Sequence, residues 1–334
     1  MPHEMNIYRT FREYHLHYEL WLTGISCVLN GTLIYLVLTT RNSVMRSYGW
    51  IVLMSVAGDL IYTFVNIVTM EVVEVKGGVS FFITLGPFEH TGYPYNFLMA
   101  SLFLGALYTT VFTLGMQFVY RYFALCRNPL TVAEFAGMYF SGVFSMFAIA
   151  LLSFFAFRDM SEEDTELLKG HPAYTYDTPI YMAVDPGSVH SRLHIAFSQS
   201  TVICVYAVII YTGRKINAKL RDVSTDMSES TRAAHKQLNK VMIIQASYPA
   251  VVLGLPILVA TLCIQLRVDV LWAGLYLVPS ASLIPMANAI TVMLVIPSFR
   301  NRLLGKLQKS GKIKGVSGSK AFSTELKPNM SSML

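Results

Sequence analysis

Charged residues are scarce in this sequence. Only 14% of its 334 residues are Asp, Glu, Lys or Arg, whereas soluble domains carry about 25%. Hydrophobic residues make up 54% of the chain, and its mean hydropathy is +0.48. A soluble protein of this composition would expose large apolar patches and aggregate. The composition therefore predicts a protein that crosses a membrane several times.

Several other features are also missing. The 4 Cys, 13 Pro and 21 Gly residues exclude a disulfide scaffold, a collagen-like chain and a low-complexity chain. The sequence has no Walker loop, dinucleotide-binding glycine motif or zinc-protease helix. Its last apolar run has no Lys that would hold retinal as a Schiff base. We therefore expect no enzyme activity and no cofactor.

Seven long apolar runs account for the hydrophobic excess. A bilayer core about 30 Å thick requires roughly 20 apolar residues per helix. Lys is absent from all seven runs, and Asp59 is the only carboxylate inside them. This pattern predicts an all-α membrane protein, a bundle of seven transmembrane helices. The runs cover residues 20–38, 50–70, 95–120, 135–157, 194–211, 241–264 and 270–296.

Basic residues are distributed unevenly between the two sides of this bundle. The loops 39–49, 121–134 and 212–240 and the tail from 297 carry 19 Lys and Arg residues, against 7 on the other side. Because cytoplasmic loops are enriched in Lys and Arg, we predict a cytoplasmic C-terminus and an extracellular N-terminus. The net charge of +6 then reflects membrane orientation, and we expect the lipid bilayer, not nucleic acid, as the partner.

The segments outside the spans complete the predicted organisation. Residues 1–18 are an extracellular N-terminal segment, and residues 19–297 are the seven-transmembrane domain. In residues 298–310, apolar side chains recur at helical spacing among basic ones, which predicts a short amphipathic eighth helix on the membrane surface. Residues 311–334 are rich in Ser, Lys and Gly and are predicted to be a disordered cytoplasmic tail. No two cysteines fall on the outer side, so we predict no disulfide.

Asp59 lies deep in the second apolar run. A carboxylate inside the bilayer is costly unless it is paired, hydrated or protonated. We expect it to face a polar interior, with Asn288 of the seventh run as its partner. A polar switch or cation site and a purely structural hydrogen bond both remain open as its role.

Short motifs stand at defined places along the spans. Arg121 ends the third run between Tyr120 and Tyr122, where an Arg is by default an anchor that reaches the membrane surface. Further motifs lie in or next to the first, second, sixth and seventh runs. With the motif around Arg121, the full set is Leu29-Asn30-Gly31, Tyr48 with Asp59, Phe118-Val-Tyr-Arg-Tyr-Phe123, Met227-Ser-Glu-Ser-Thr231-Arg-Ala-Ala-His-Lys-Gln237-Leu, Ile244-Gln245-Ala with Pro249, and Ile296-Pro297-Ser-Phe299-Arg300.

With these motifs, the chain resembles the nematode seven-transmembrane serpentine chemoreceptors of the Str superfamily over nearly its whole length. Gly86-Pro87, before the third helix, favours the Srd-like group. Seven helices, an outward N-terminus and a basic third inner loop are also the plan of a G-protein-coupled receptor. The chain departs from rhodopsin-like receptors at Tyr120, which replaces an acidic residue, and at Asn288-Ala289, which replaces an Asn-Pro pair. The cysteines of the usual outer disulfide are missing as well.

The resemblance implies a chemosensory, olfactory-type receptor that detects a small external chemical and activates a heterotrimeric G protein. It implies a place in the plasma membrane, in a sensory cilium. Arg121 would line the cytoplasmic cavity that the G protein enters. The basic residues of loop 212–240 suit an acidic protein face and, equally, anionic phospholipid of the inner leaflet. The residues expected at the G-protein interface are Arg121, Tyr122, Arg127, Arg214, Lys215, Arg232, Lys236 and Lys240.

Ligand contacts are expected in the outer halves of the third, fifth, sixth and seventh helices. Mostly apolar walls with a few polar groups suit a small organic ligand. Since the rotation of each helix is unknown, some of the candidates must face lipid. His190 and His194 are four residues apart but lack two further ligands, so we predict no metal site. The pocket candidates are Phe103, Leu107, Phe197, Thr201, Thr261, Tyr276 and Ser280.

Two other functions remain open. A seven-helix ligand-gated channel or transporter would have the inverted orientation, which the charge distribution disfavours. A membrane scaffold without signalling would show no response to ligands. The acidic loop 158–193 either covers the ligand cavity or serves only solubility.

Overall fold

The computed structural model describes residues 7–40, 43–222, 229–303 and 305. The predicted tail 311–334 and residues 304 and 306–310 of the predicted helix 298–310 lie outside this part of the chain, whereas residues 297–303 are helical. The elements are α1 (Ile7–Leu38), α2 (Ser43–Thr69), β1 (Glu71–Lys76), β2 (Val79–Thr84), α3 (Tyr95–Cys126), α4 (Val132–Leu151) with a 3-10 turn (Leu152–Phe155), α5 (Glu162–Lys169), β3 (Met182–Val184), α6 (Val189–Asp222), α7 (Glu229–Pro249), a π-helical turn (Ala250–Gly254), α8 (Leu255–Gln265), α9 (Ala273–Ser282) and α10 (Ile284–Val295).

The described helices form the predicted seven-helix bundle. Six helices are long and apolar enough to cross a membrane, and α9 with α10 makes a seventh span that is bent by 40°. The spans are therefore α1, α2, α3, α4, α6, α7–α8 and α9–α10. Pro285 explains the bend, because a proline removes one helical hydrogen bond and clashes with the carbonyl four residues earlier. We call the side with loops 71–94 and 158–193 outer, and the opposite side inner.

The first helix begins earlier than its apolar run does. It starts at Ile7, so residues 7–18, predicted as a separate segment, continue α1. Its 32 residues span about 48 Å, more than the bilayer core. His15 and Glu19 are buried and continue the helical spacing of the buried residues Leu22 and Ser26. Hydropathy alone placed the start too late because these two side chains are polar.

A small sheet on the outer side was not predicted. β1 and β2 form an antiparallel hairpin, and β3 pairs with β2 in the order β1-β2-β3. Gly77 and Gly78 turn the hairpin at φ of 60° and 79°, a region that favours glycine. A Val-rich run followed by Gly-Gly is a hairpin signal that the bundle prediction overlooked. The chain is thus a helix bundle with a three-stranded cover.

Small residues let the spans approach closely around α3. A Cβ at Gly105 would lie 2.5 Å from the ring of Phe147, and one at Gly142 would overlap the ring of Phe112. Gly105 of α3 and Gly142 of α4 therefore each receive an aromatic ring from the other helix; small residues are common where transmembrane helices pack. This packing holds α3 in the centre of the bundle, where it contributes to the cavity described below.

Backbone hydrogen bonds and an ion pair, with no disulfide bond, hold the sheet against the helix bundle. Val75 of β1 pairs with Val270 between the sixth and seventh spans, and Ala183 of β3 exchanges backbone hydrogen bonds with Arg158. Lys76 forms an ion pair with Asp269. All four cysteines are free.

Candidate functional site

A cavity of about 510 Å³ lies in the outer half of the bundle, within the range of about 300–1,000 Å³ that is typical of small-molecule sites. Its walls come from the third, fifth, sixth and seventh spans, as predicted. Its cover comes from the sheet, with Val73 and Val75 of β1, Ser80 and Phe82 of β2 and Val184 of β3. Loop 158–193 thus contributes to the cover through β3.

Three of the seven predicted pocket residues lie in the cavity wall. They are Phe103 and Leu107 on α3 and Thr261 on α8. Phe197 instead has 57% of its surface exposed on the outside of the bundle. Thr201 lies on the same side of α6 and donates to the carbonyl of Phe197. Since successive helical residues are rotated by about 100°, the cavity face of α6 runs one residue later, through Ser198, Gln199, Val202, Ile203 and Tyr206.

The seventh span shows the same kind of difference. Tyr276 and Ser280 of α9 are not among the cavity residues, whereas Leu277, Val278 and Ala281 are. Ser280 is buried and donates to the carbonyl of Leu277 within its own helix. The polar residues expected from their depth therefore lie on a helix that lines the cavity but not on the face that lines it.

Most polar side chains of the cavity wall lie on α3, α6 and α8, and Ser80 of β2 adds one from the cover. The Tyr108 hydroxyl is hydrogen-bonded to Ser198, and His194 Nε2 lies 3.5 Å from the Ser198 hydroxyl. Gln199 donates to Thr261 Oγ1 at 3.4 Å. No Asp, Glu, Lys or Arg belongs to the described lining. Because burying an isolated charge is very costly, this lining suits a neutral ligand that carries a hydrogen-bonding group.

Two carboxyl groups are buried in the cover and were not predicted as site residues. Glu74 accepts a hydrogen bond from Tyr174 at 3.3 Å and lies 3.5 Å from His171 Nε2. Burial raises the pKa of Glu74 to about 8 and lowers that of His171 to about 4. Burial also raises the pKa of Glu71 to about 8, although the hydrogen bond that Glu71 accepts from Thr84 acts to lower it. At neutral pH the carboxyls are mostly protonated and the imidazole is neutral.

Asp59 and Asn288 meet below the cavity. Asn288 Nδ2 donates to Asp59 Oδ1 at 2.8 Å, and both residues are buried. Gln245 of α7 donates to the main-chain carbonyl of Asn288 at 3.4 Å. The pairing expected from the sequence is therefore present, and it joins the second, sixth and seventh spans.

A second polar network joins the first, second and seventh spans. Asn66 donates to Glu19 at 2.7 Å and to Ser282 at 3.2 Å. Sequence reasoning missed it because Glu19 precedes the first apolar run. The burial of Glu19 is visible only in the folded helix, where His15 and Glu19 continue the buried face of α1.

Arg121 does not line an open cytoplasmic cavity in this structure. Its side chain is completely buried between α3 and α7. It donates to the main-chain carbonyl of His235, to Asn239 Oδ1 at 3.4 Å and to Met242 Sδ at 3.5 Å. These contacts hold the inner end of the sixth span against the third span. The site expected to receive a G protein is therefore closed.

The other predicted interface residues surround this contact. Tyr122 accepts a hydrogen bond from Arg127 at 3.2 Å. Arg214 and Lys215 of α6 and Lys236 and Lys240 of α7 are exposed. The side chain of Arg232 lies outside the described part of the chain. The exposed bases leave a positive inner surface next to the closed contact.

Comparisons with known proteins agree with this geometry. The serpentine receptor class delta-19 of Caenorhabditis elegans is 25% identical over 304 residues, which cover 86% of this chain and 87% of that receptor. The serpentine receptor class r-10 of the same organism is 22% identical over 315 residues, covering 86% and 92%. The crystal structure of squid rhodopsin matches with a TM-score of 0.56 at 13% identity, covering 94% of this chain and 92% of that one, which shows a shared fold.

The sequence model of the family described as "Serpentine type 7TM GPCR chemoreceptor Str" matches residues 17–304. This match includes the first span from residue 17, the other six spans, the cover and both polar networks. The family consists of multi-pass membrane receptors, not enzymes. The chain therefore belongs to the Str family of serpentine seven-transmembrane chemoreceptors.

Proposed function

We propose that this receptor binds a small neutral chemical in the covered cavity and activates a heterotrimeric G protein at the inner ends of α3, α6 and α7. The observation that carries the proposal is the combination of an apolar cavity in the outer half and the buried Arg121 contact at the inner end. The sixth span takes part in both. A ligand therefore acts on the same helix that Arg121 holds.

The π-helical turn between α7 and α8 is the part of the sixth span at which a bound ligand can change the arrangement of the helix. Ala250, Leu253 and Gly254 of this turn and the adjacent Pro249 all belong to the cavity wall. π-Helical turns are rare and are frequent at functional sites. A ligand that packs against this turn favours one arrangement of α7 relative to α8. We propose that this shift releases Arg121 from His235 and Asn239 and opens the inner side.

The charge distribution supports the orientation that this mechanism requires. With 19 of the 26 Lys and Arg residues on the inner side, the inner side is proposed to be cytoplasmic. The receptor would then lie in the plasma membrane of a sensory cilium, with the cavity towards the outside. The exposed bases of α6 and α7 favour an acidic surface of the G protein, and anionic lipid attracts them as well.

The proposal is tested in cells that express the full chain with a promiscuous G protein and are exposed to a panel of neutral volatile compounds. We expect a concentration-dependent response to some of these compounds and none from cells without the receptor. An epitope tag at the C-terminus should be stained only after permeabilisation. Staining of intact cells would favour the inverted channel or transporter and overturn the receptor mechanism.

A further inference from the structure

Three residues of the cavity wall are also exposed on the outside of the bundle. They are Ile203 on α6, with 63% of its surface exposed, and Leu255 and Leu258 on α8, with 57% and 45% exposed. A side chain that lines an internal cavity and also reaches the outer surface lies at an opening. Both helices belong to candidate membrane spans, so this opening faces the lipid. We call it the lateral window.

Two hydrogen bonds frame the lateral window. On its outer side, Gln199 of α6 donates to Thr261 of α8 at 3.4 Å. On its inner side, the Tyr206 hydroxyl donates to the main-chain carbonyl of Ala246 on α7 at 3.1 Å. Between them α6 packs mainly on α3 and makes little contact with the sixth span. The window is thus a gap between two points of contact.

The backbone of the sixth span keeps this gap open. The π-helical turn follows Pro249 and ends at Gly254, which lines the cavity. A Cβ at Gly254 would have only the carbonyl of Pro249 near it, at 3.7 Å. Because residue 254 is glycine, space is left beside the lateral window that a larger side chain would occupy.

The cover closes the cavity towards the outer aqueous side. Val75, Ser80 and Val184 line the cavity and are 1%, 8% and 5% exposed. The ladder between β2 and β3 and the Val75–Val270 bridge hold them in place. Leu258 lies about 10 Å along the helix from the outer end of α8 at Gln265. The open side of the cavity is therefore within the outer half of the bilayer.

We propose that the ligand is a neutral molecule that dissolves in the membrane and enters the cavity from the outer leaflet through the lateral window. This inference rests on the proposed function in assuming that the cavity is the ligand site. Since the route starts in lipid, a compound is selected first by its partition into the bilayer. The hydrogen-bonding groups of Tyr108, Ser198 and Gln199 then select among the compounds that reach the cavity.

The experiment narrows the lateral window with tryptophan and measures the rates of binding. The full chain in lipid nanodiscs is mixed with 1-aminoanthracene, a neutral apolar fluorophore, in a stopped-flow instrument. We expect Ile203→Trp and Leu258→Trp to slow association and dissociation by about tenfold each, which corresponds to a higher barrier with little change in Kd. The matched controls, Ile210→Trp and Leu262→Trp, lie on the same spans and are 55% and 63% exposed but do not line the cavity.

The outcomes separate the route from the function. Wild-type rates in both window variants, or equal slowing in the controls, would overturn the lateral route. Failure of the fluorophore to bind wild-type protein would overturn the neutral apolar ligand class. The size of the fluorescence change reports the folded fraction of each variant. Because the assay needs no G protein, a receptor with window-dependent binding and no signalling would contradict only the proposed function.

Discussion

Arg121 donates a hydrogen bond to the main-chain carbonyl of His235, and this contact joins the inner ends of the third and sixth spans. A main-chain acceptor makes the contact independent of the side chain at position 235. The contact depends instead on the position of the α7 backbone relative to α3. An outward movement of α7 would expose the guanidinium on the inner side. From the sequence, Arg121 was expected to line the cavity that a G protein enters; this stays a prediction, and in the structure its side chain is buried against α7.

Arg121→Ala is expected to abolish G-protein activation and to leave surface expression largely intact. The substitution removes the charged group that an outward movement of α7 would present to the G protein. Charge-assisted hydrogen bonds contribute about 1.5–3 kcal/mol, so we expect a loss of at least about tenfold in signalling. The measurement is agonist-stimulated nucleotide exchange together with surface labelling. Normal signalling would show that Arg121 serves only the packing of α3 against α7.

Asp59→Asn is expected to change activation more than expression. The carboxylate accepts a hydrogen bond from Asn288, which also receives one from Gln245 on its main chain. An amide at position 59 keeps the size of the side chain but replaces an acidic group with one that does not ionise, so packing is preserved. We expect a shift in ligand-independent activity, measured at equal surface density. Equal loss of activity and expression would support a purely structural role.

Leu107→Trp is expected to lower ligand potency by about 5- to 150-fold, because overfilling a packed site costs about 1–3 kcal/mol. Leu107 lies in the cavity wall. Phe197→Trp is the control, since Phe197 is on the opposite side of α6 and faces outward. Concentration–response curves for both variants distinguish the two faces. A larger effect at position 197 would mean that the ligand binds elsewhere.

Gly142→Leu is expected to destabilise the receptor by about 1–3 kcal/mol, because even a Cβ there overlaps the Phe112 ring. Gly137→Leu on the same helix has nothing within 4 Å of its Cβ and is expected to have little effect. Thermal unfolding in detergent compares the two variants. Similar melting temperatures would show that α3 and α4 separate easily.

The buried carboxyls of the cover make stability depend on pH. With pKa values raised to about 8, Glu71 and Glu74 bind protons more tightly in the folded state than in the unfolded state. Stability therefore rises as pH falls from about 8.5 to about 6.5, by about 2 kcal/mol per carboxyl. The lowered pKa of His171 acts in the opposite sense, but only below its ordinary value of 6.5.

Glu74→Gln is expected to remove the contribution of Glu74 from this pH dependence, so that stability varies less with pH than in the wild type. Its surroundings are Tyr174, His171, Arg12 and the backbone of Gly274, so no other carboxylate takes over its proton. Glu163→Gln, at an exposed position of α5, should follow the wild-type curve. Unfolding temperatures at several pH values provide the measurement. Parallel curves for all three proteins would contradict protonation of Glu74 in the fold.

The sequence was informative where a residue differed from its surroundings. Asp59 and Asn288 are polar within apolar runs, so their pairing could be expected. Phe197 and Ser198 could not be distinguished, because α6 is apolar on the lipid face and on the cavity face alike. Glu19 was missed because hydropathy is an average over a window and the helix continues beyond that window. The hairpin was missed because short strands next to long helices contribute little to such an average.

The cover of the cavity is held by backbone pairing and an ion pair, and every cysteine in the chain is free. Assembly of the outer half therefore requires no oxidising compartment and no disulfide isomerase. The receptor should reach its folded form in reducing cell-free translation with nanodiscs, in which disulfide-dependent receptors fail. Dithiothreitol should likewise leave its ligand affinity unchanged.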